Sequence, residues 1–276
     1  MPDVLIYTSN NRLSAALEPL LAEIGFRYRS VQNAKTALEW FSLREFDILI
    51  IDSDIPFNIQ QILAGELWKK RIENLLFIIN TSKKDKALEM RLSGAEVIEG
   101  NNALERLRTI LTHYLEERPK KDSDFNILVV DDLESPRDII CIYLEESGFS
   151  IKTKGVSSGK EALELLEGED QPFDCVFTDI KMPRMTGHEL IRSIRSKPAI
   201  KNIPIIVLTA FGTTDCLLEC LTAGASGFLV KPPKKADIAR EIGRAKRIVL
   251  QGLEARLFKE GEEEAVRDFL QAKGIV

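Results

Sequence analysis

The sequence predicts an α/β protein made of two doubly wound units with parallel sheets, and three observations carry that expectation. Short apolar runs such as ILVV at 127–130 and Cys175, Val176 and Phe177 have the pattern of strands buried on both faces, which belong to parallel sheets covered by helices. Amphipathic helical stretches alternate with those runs. The alternation also occurs twice: FDILIIDSDIP from Phe46 and FDCVFTDIKMP from Phe173 share pattern and spacing, as a duplicated unit would.

Taken in order, DVLIYTSNNRLSAALEPLLAEIGFRYRS from Asp3 parallels NILVVDDLESPRDIICIYLEESGFSIKT from Asn126. Each reads as strand, amphipathic helix, glycine stop and second strand. AKTALEWF then matches GKEALELL as the second helix, and the two FD segments supply the third strand. RLSGAEVI matches CLTAGASGFLV, a helix closed by glycine and followed by a short strand. Each copy is therefore about five strands and five helices in roughly 120 residues. Proline and clustered charge in EERPKKDSD, Glu116 to Asp124, interrupt the periodicity and mark the boundary. The expected divisions are 1–118, a linker at 119–124, 125–250, and a helical extension at 251–276. Ile238, Ile242, Ala245, Val249, Leu253 and Leu257 continue one helical stripe, so the last helix of the second copy is expected to run past its domain into that extension, where GEEEAVRDFLQAKG reads as a further helix, acidic at its start and basic near its glycine stop. It packs on its own domain or serves a partner or dimer contact.

Composition excludes several classes. The chain has 276 residues, 44% hydrophobic and 29% charged, enough apolar material for sizeable cores and unlike a disordered chain. A net charge of −5, with both halves mildly acidic and no basic stripe among aromatics, argues against nucleic acid as a partner. No leader-like or membrane-spanning apolar stretch is visible, so a cytoplasmic location without membrane contact is expected. Cys141, Cys175, Cys216 and Cys220 form no CxxC pair and only two histidines exist to complete a metal site, so the cysteines fit a reducing compartment. Cys216 and Cys220 share a helix face and read as packing residues; His113 and His188 lack a phosphotransfer context and read as surface or packing residues.

Chemistry concentrates in the second copy. Ligands of parallel sheets bind beyond the carboxyl ends of the strands, and several polar groups are expected there. Asp131 and Asp132 follow ILVV, Asp179 follows CVFT, Thr209 follows PIIVL and Lys231 follows GFLV. Carboxylates gathered at one edge repel unless a cation joins them, and oxygen ligands suit Mg²⁺. The lysine fits an anionic ligand, such as a phosphoryl group on Asp179 that Mg²⁺ and an ammonium would neutralise from two sides. The Thr209 hydroxyl could hydrogen-bond that same group.

These residues resemble the receiver domain of bacterial two-component response regulators: DD after the first strand, D-x-x-M-P-x-M-x-G from Asp179 to Gly187, T-A at Thr209 and K-P at Lys231, in order. The resemblance implies flavodoxin-like (βα)5 receiver domains in tandem, with Asp179 as phosphoacceptor. It also implies Asp132 as a direct Mg²⁺ ligand, Asp131 as a ligand through water, the Lys181 carbonyl as a further ligand, and Lys231 paired with the phosphoryl group. Thr209 and Phe228 occupy the positions that relay the signal toward the fourth helix and fifth strand. A sensor histidine kinase or phosphotransfer protein would be the donor and a downstream protein the target.

The first copy departs from the pattern. Thr8 and Ser9 replace the acidic pair, leaving Asp52 with Asp54 nearby, and Asn101 stands seven residues after Gly94, where the same offset from Gly224 gives Lys231. Asn80 or Thr81 could stand for the threonine. The resemblance therefore implies a degenerate pseudo-receiver at 1–118, with phosphorylation lost. Two rival readings remain in view. IIDSDIP also resembles the D-x-D motif of haloacid-dehalogenase-type phosphatases, in which Asp52 would be nucleophile and Asp54 general acid, and the second copy could instead be an unphosphorylated scaffold module. No helix-turn-helix or other output domain is recognised after the second copy.

Overall fold

The computed structural model describes residues 1–68, 74–79, 90–91, 94–116, 124–147, 149–168, 173–210, 214–258 and 261–272. The chain divides into two compact units, Met1–Arg118 and Pro119–Val276. Asn80, Thr81, most of the helix expected from Lys84 to Leu92, and most of the linker lie outside the described residues.

The first unit runs β1 (Asp3–Tyr7), α1 (Asn11–Ile24), β2 (Arg27–Val31), α2 (Ala34–Leu43), β3 (Ile48–Asp52), α3 (Phe57–Trp68), β4 (Leu75–Ile79), β5 (Glu96–Ile98) and α4 (Ala103–Glu116). Its strands form one parallel sheet in the order β2-β1-β3-β4-β5. α1 packs with α4 and α2 with α3, so helices cover both faces. That cover explains why β1, β3 and β4 are buried along their whole length, whereas β2, at the edge, exposes most of its residues. Leu5, Leu49, Ile51, Leu76 and Ile78 join Leu63 and Leu67 of α3 in one core.

The second unit repeats the architecture with β6 (Phe125–Val130), α5 (Glu134–Glu145), β7 (Ile151–Val156), α6 (Gly159–Leu166), β8 (Cys175–Asp179), α7 (Gly187–Arg195), β9 (Ile205–Thr209), α8 (Thr214–Ala223), β10 (Gly227–Val230) and α9 (Lys235–Gln251). The parallel order is β10-β9-β8-β6-β7, the same winding read from the other edge. Local signals define the helix starts: Ser158 caps α6, and Thr186 caps α7 in a reciprocal box with Glu189. At the amino ends of β9 and β10, Arg195 of α7 donates to the carbonyls of Gly224 (2.8 Å), Lys201 (2.7 Å) and Ile203 (2.8 Å). Burial pulls its pKa down to about 10, and those three acceptors satisfy the buried donors.

The helical stripe expected to continue through Leu253 and Leu257 breaks after Gln251. Gly252, at φ 63°, closes α9 in the left-handed conformation that glycine adopts without strain. Leu257 is buried all the same, because its N–H reaches the Ala225 carbonyl at 2.9 Å instead of an α9 carbonyl. A last helix, α10 (Glu263–Ala272), packs against α8. Among the described residues no helix is long and apolar enough to cross a membrane.

Candidate functional site

Strand register decides which side chains meet. In the second unit Val130 lies opposite Thr178 in β8, Asp179 opposite Leu208 in β9, and Leu208 opposite Leu229 in β10. The residues just past β6 and β10 therefore flank the last residue of β8 at one sheet edge. Asp131 is buried there, at 1% exposure, while Asp132 beside it is half-buried.

Lys231 organises this edge. Its Nζ donates to Asp131 Oδ2 at 2.8 Å and to Asp179 Oδ1 in a shorter contact, bridging two carboxylates from different strands. Burial opposes the charge of Lys231, but the hydrogen bonds and negative charges of Asp131 and Asp179 outweigh it and raise the pKa above the ordinary lysine value. The other Asp179 oxygen, Oδ2, accepts the Lys181 N–H at 2.9 Å, and Asp131 Oδ1 accepts the Leu133 N–H at 3.0 Å. Lys181 thus meets the site through its amide. Thr209, the last residue of β9, is 3% exposed and its hydroxyl donates to the Ala210 carbonyl at 3.2 Å. Phe228, in β10, is half-buried.

Two of the three expected carboxylates meet directly at this edge. Asp131 and Asp179 converge on one cationic centre, and among the described residues no three His, Cys, Asp or Glu side chains form a metal-ligand set. One positive group between two acids offsets their repulsion. The donor chemistry still fits Mg²⁺: it binds through one or two carboxylates plus substrate and water oxygens, and Asp131 and Asp179 present such oxygens at one edge.

Two further residues support the site. Arg137 of α5 donates from Nη1 to the Asp131 carbonyl at 2.9 Å, fixing the turn that carries the acid, and a Cβ at Gly155 of β7 would meet the Arg137 side chain at 3.0 Å. Gly187 opens α7 so close to β8 that a Cβ there would meet the Asp179 carbonyl oxygen at 2.3 Å. Motif spacing alone signalled Gly187; nothing in the sequence pointed to Arg137. His188, in the first turn of α7, has Nδ1 2.9 Å from Thr186 Oγ1 and 3.6 Å from Glu219 Oε2 of α8, a packing position between two helices. His113 is half-buried near the end of α4. All four cysteines are free; burial pushes Cys220 up to about 12 and Cys175 well above its ordinary value.

At the same edge of the first unit no lysine is bonded to Asp52 among the described residues. Asp52, 3% exposed, accepts the Thr8 hydroxyl on Oδ2 at 3.0 Å and the Asp54 N–H on Oδ1 at 3.2 Å, and Thr8 Oγ1 in turn accepts the Asn10 N–H at 2.9 Å. Register corrects one assignment. Asp52 pairs with Ile79 and Ile79 with Ile98, so the residue equivalent to Lys231 is Gly100, not Asn101. Gly100 has φ 87°, and Asn101 is exposed one residue further on.

Comparison with known proteins agrees with this geometry. Residues 127–243 match the family model described as the response regulator receiver domain. Two-component response regulator ORR11 of Oryza sativa subsp. indica is 36% identical over 119 residues, which span 43% of this chain and 79% of that protein. Two-component response regulator ORR5 of Oryza sativa subsp. japonica is 35% identical over 122 residues, spanning 44% and 89%. Among solved structures, the receiver domain of a sensor histidine kinase from Pseudomonas aeruginosa PAO1, with a magnesium ion coordinated in its active site cleft, is 27% identical with a TM-score of 0.40, covering 48% of this chain and all of that one. An acid pair after β6, an aspartate ending β8, a threonine ending β9 and a lysine after β10, together with the family match and the two Oryza sativa relatives, identify the chain as a member of the two-component response regulator receiver domain family.

Proposed function

We propose that the second unit accepts a phosphoryl group on Asp179 and that the first unit is a pseudo-receiver lending a fixed interaction surface, so that the chain signals through altered protein contacts. One observation carries the reading: a lysine holds the carboxylates of Asp131 and Asp179 at the carboxyl edge of a parallel sheet, with Thr209 ending the neighbouring strand. A sensor histidine kinase or phosphotransfer protein is the donor. An Asp179 oxygen bonds to phosphorus as the phosphorus–nitrogen bond of the donor's phosphohistidine breaks, and the imidazole nitrogen leaves with the electron pair.

Asp131, Asp132 and Asp179, with the Lys181 carbonyl, would hold Mg²⁺, which supplies charge neutralisation for phosphoryl oxygens. Lys231 exchanges its contact with Asp179 for one with the phosphoryl group, and the Thr209 hydroxyl turns from the Ala210 carbonyl to the same group. No DNA-binding or enzymatic output is assigned to either unit. Asp52, buried with both oxygens hydrogen-bonded, supports a structural role over that of a phosphatase nucleophile. Intact mass after treatment with acetyl phosphate and Mg²⁺ tests the proposal. One added phosphoryl group, absent in Asp179→Asn and kept in Asp52→Asn, is expected; labelling that survives Asp179→Asn refutes it.

A further inference from the structure

The two units correspond at the amino ends of their strands as well. Asp3 and Asn126 each donate a backbone N–H to the carboxylate of an aspartate, Asp47 and Asp174, at 2.8 Å, and each carbonyl accepts that aspartate's own N–H. Asp3 pairs with Arg27 and Asn126 with Lys152, so Arg27 and Arg29 of β2 correspond to Lys152 and Lys154 of β7. In the helices that follow, AKTALEWF against GKEALELL makes Trp40 of α2 the counterpart of Leu165 of α6.

In the first unit this place holds an aromatic ring. Trp40 packs against the core, and the Arg29 guanidinium lies 5.0 Å from the centre of its ring. In the second unit the helix is shorter, 8 residues against 10, and leucine stands for tryptophan. A cavity of about 390 Å³ lies there, with Asn126, Lys152, Lys154, Glu164, Leu165 and Phe173 among its walls. That volume is within the range of small-molecule sites, about 300–1,000 Å³. Lys152 and Lys154, two apart on the strand, share one face. Lys152 is paired with Asp124, whereas Lys154 has no ion-pair partner among the described residues. Glu164, on the helix side, is 3.6 Å from Lys160.

From this comparison we infer that the cavity is a binding site for a small planar aromatic carboxylate, which brings to the second unit the ring that Trp40 provides in the first. The ring lies against Leu165 and Phe173, and the carboxylate pairs with the Lys154 ammonium. An indole N–H on the ligand has Glu164 as its acceptor. The cavity belongs to the amino half of the sheet, whereas Asp179 ends β8, so the inference does not depend on whether Asp179 is phosphorylated.

The test titrates indole-3-propionate, a tryptophan ring joined to a carboxylate, into the full chain labelled with nitrogen-15, with 3-methylindole as the uncharged control. Saturable amide shifts are expected at Lys152, Thr153, Lys154 and Phe173, and 3-methylindole should bind about threefold to fivefold more weakly. Lys154→Glu, at an exposed position, should bring the acid down to the control's affinity or below and leave the control unchanged. Leu165→Trp places the ring in cis and should abolish binding of both compounds; should that variant not fold, Lys154→Glu decides alone. Absence of saturable shifts at those amides at millimolar concentration overturns the inference. So do shifts gathered instead at the exposed Ile139 and Ile142 of α5, an acid affinity that Lys154→Glu leaves unchanged, or undiminished binding to a folded Leu165→Trp chain.

Discussion

At the carboxyl end of the central strand the two units restrain an aspartate by different chemistry. Asp52 receives a neutral hydroxyl from Thr8 and a backbone amide from Asp54, within its own neighbourhood of strands. Asp179 receives an ammonium from Lys231 and a backbone amide from Lys181, and it shares that ammonium with Asp131. The first arrangement meets one carboxylate with uncharged donors; the second holds two carboxylates around one ammonium. The loops differ accordingly. α3 begins at Phe57, soon after Asp52, whereas α7 waits until Gly187 and leaves Ile180, Lys181 and Met182 in an open turn beside Asp179. A hydrogen bond from a hydroxyl thus stands in the first unit where the second has a charged bridge, and the parallel sheet is kept in both.

Labelling by a small phosphodonor should separate the units most sharply, since Asp179→Asn removes the reaction entirely and Asp52→Asn does not. Labelling of Asp52 in the unaltered chain would erase the distinction. Next in size is Gly187→Ala, in which a Cβ 2.3 Å from the Asp179 carbonyl oxygen forces the backbone apart. A loss of about 1–3 kcal/mol in denaturant unfolding is expected, together with reduced labelling. Gly65→Ala, in α3 with nothing within 4 Å, should instead stabilise the chain by about 0.5–1 kcal/mol. A comparable loss at both glycines would mean that the close approach of α7 to β8 is unimportant.

A smaller effect is expected for Thr8→Val, which deprives buried Asp52 of one donor and should cost about 1–2 kcal/mol by thermal melting without changing Mg²⁺ affinity by calorimetry. A change in affinity would place the metal in the first unit. The least effect at neutral pH concerns titration. Lys231 has a pKa raised in the folded state, so its contribution is fully present below the free-lysine value of 10.5 and is lost as pH rises through the higher folded value. The stability difference between the unaltered chain and Lys231→Met should stay flat up to that range and then shrink. A decline beginning near neutrality would contradict the bridge between Asp131 and Asp179.

Much of this contrast was legible before any coordinates. Apolar runs bounded by polar residues identified β1, β3, β6, β8 and β9, and the substitution of Thr8 and Ser9 for Asp131 and Asp132 stood in plain alignment. Contacts between distant positions were not legible. That Lys231 would bind Asp131 as well as Asp179 depends on register across four strands, and assigning Asn101 to the lysine position failed because counting from a glycine ignores the pairing of Ile79 with Ile98. The end of α9 shows a different fault. Gly252 closes the helix, whereas the reading followed the apolar periodicity through Leu253 and Leu257, although a buried leucine such as Leu257 need not be helical.

Arg195 joins three carbonyls at the amino ends of β9 and β10, the end of the sheet opposite Asp179. A side chain that clamps one end of two adjacent strands makes that end a fulcrum. Fluctuations of β9 and β10 are therefore expected to grow with distance from that clamp. In isotope-exchange terms, the amides of Ile205 and Ser226 should open only with the whole unit, whereas the Lys231 amide, bonded at 2.7 Å to the Thr209 carbonyl, should open in local excursions that leave the clamp intact.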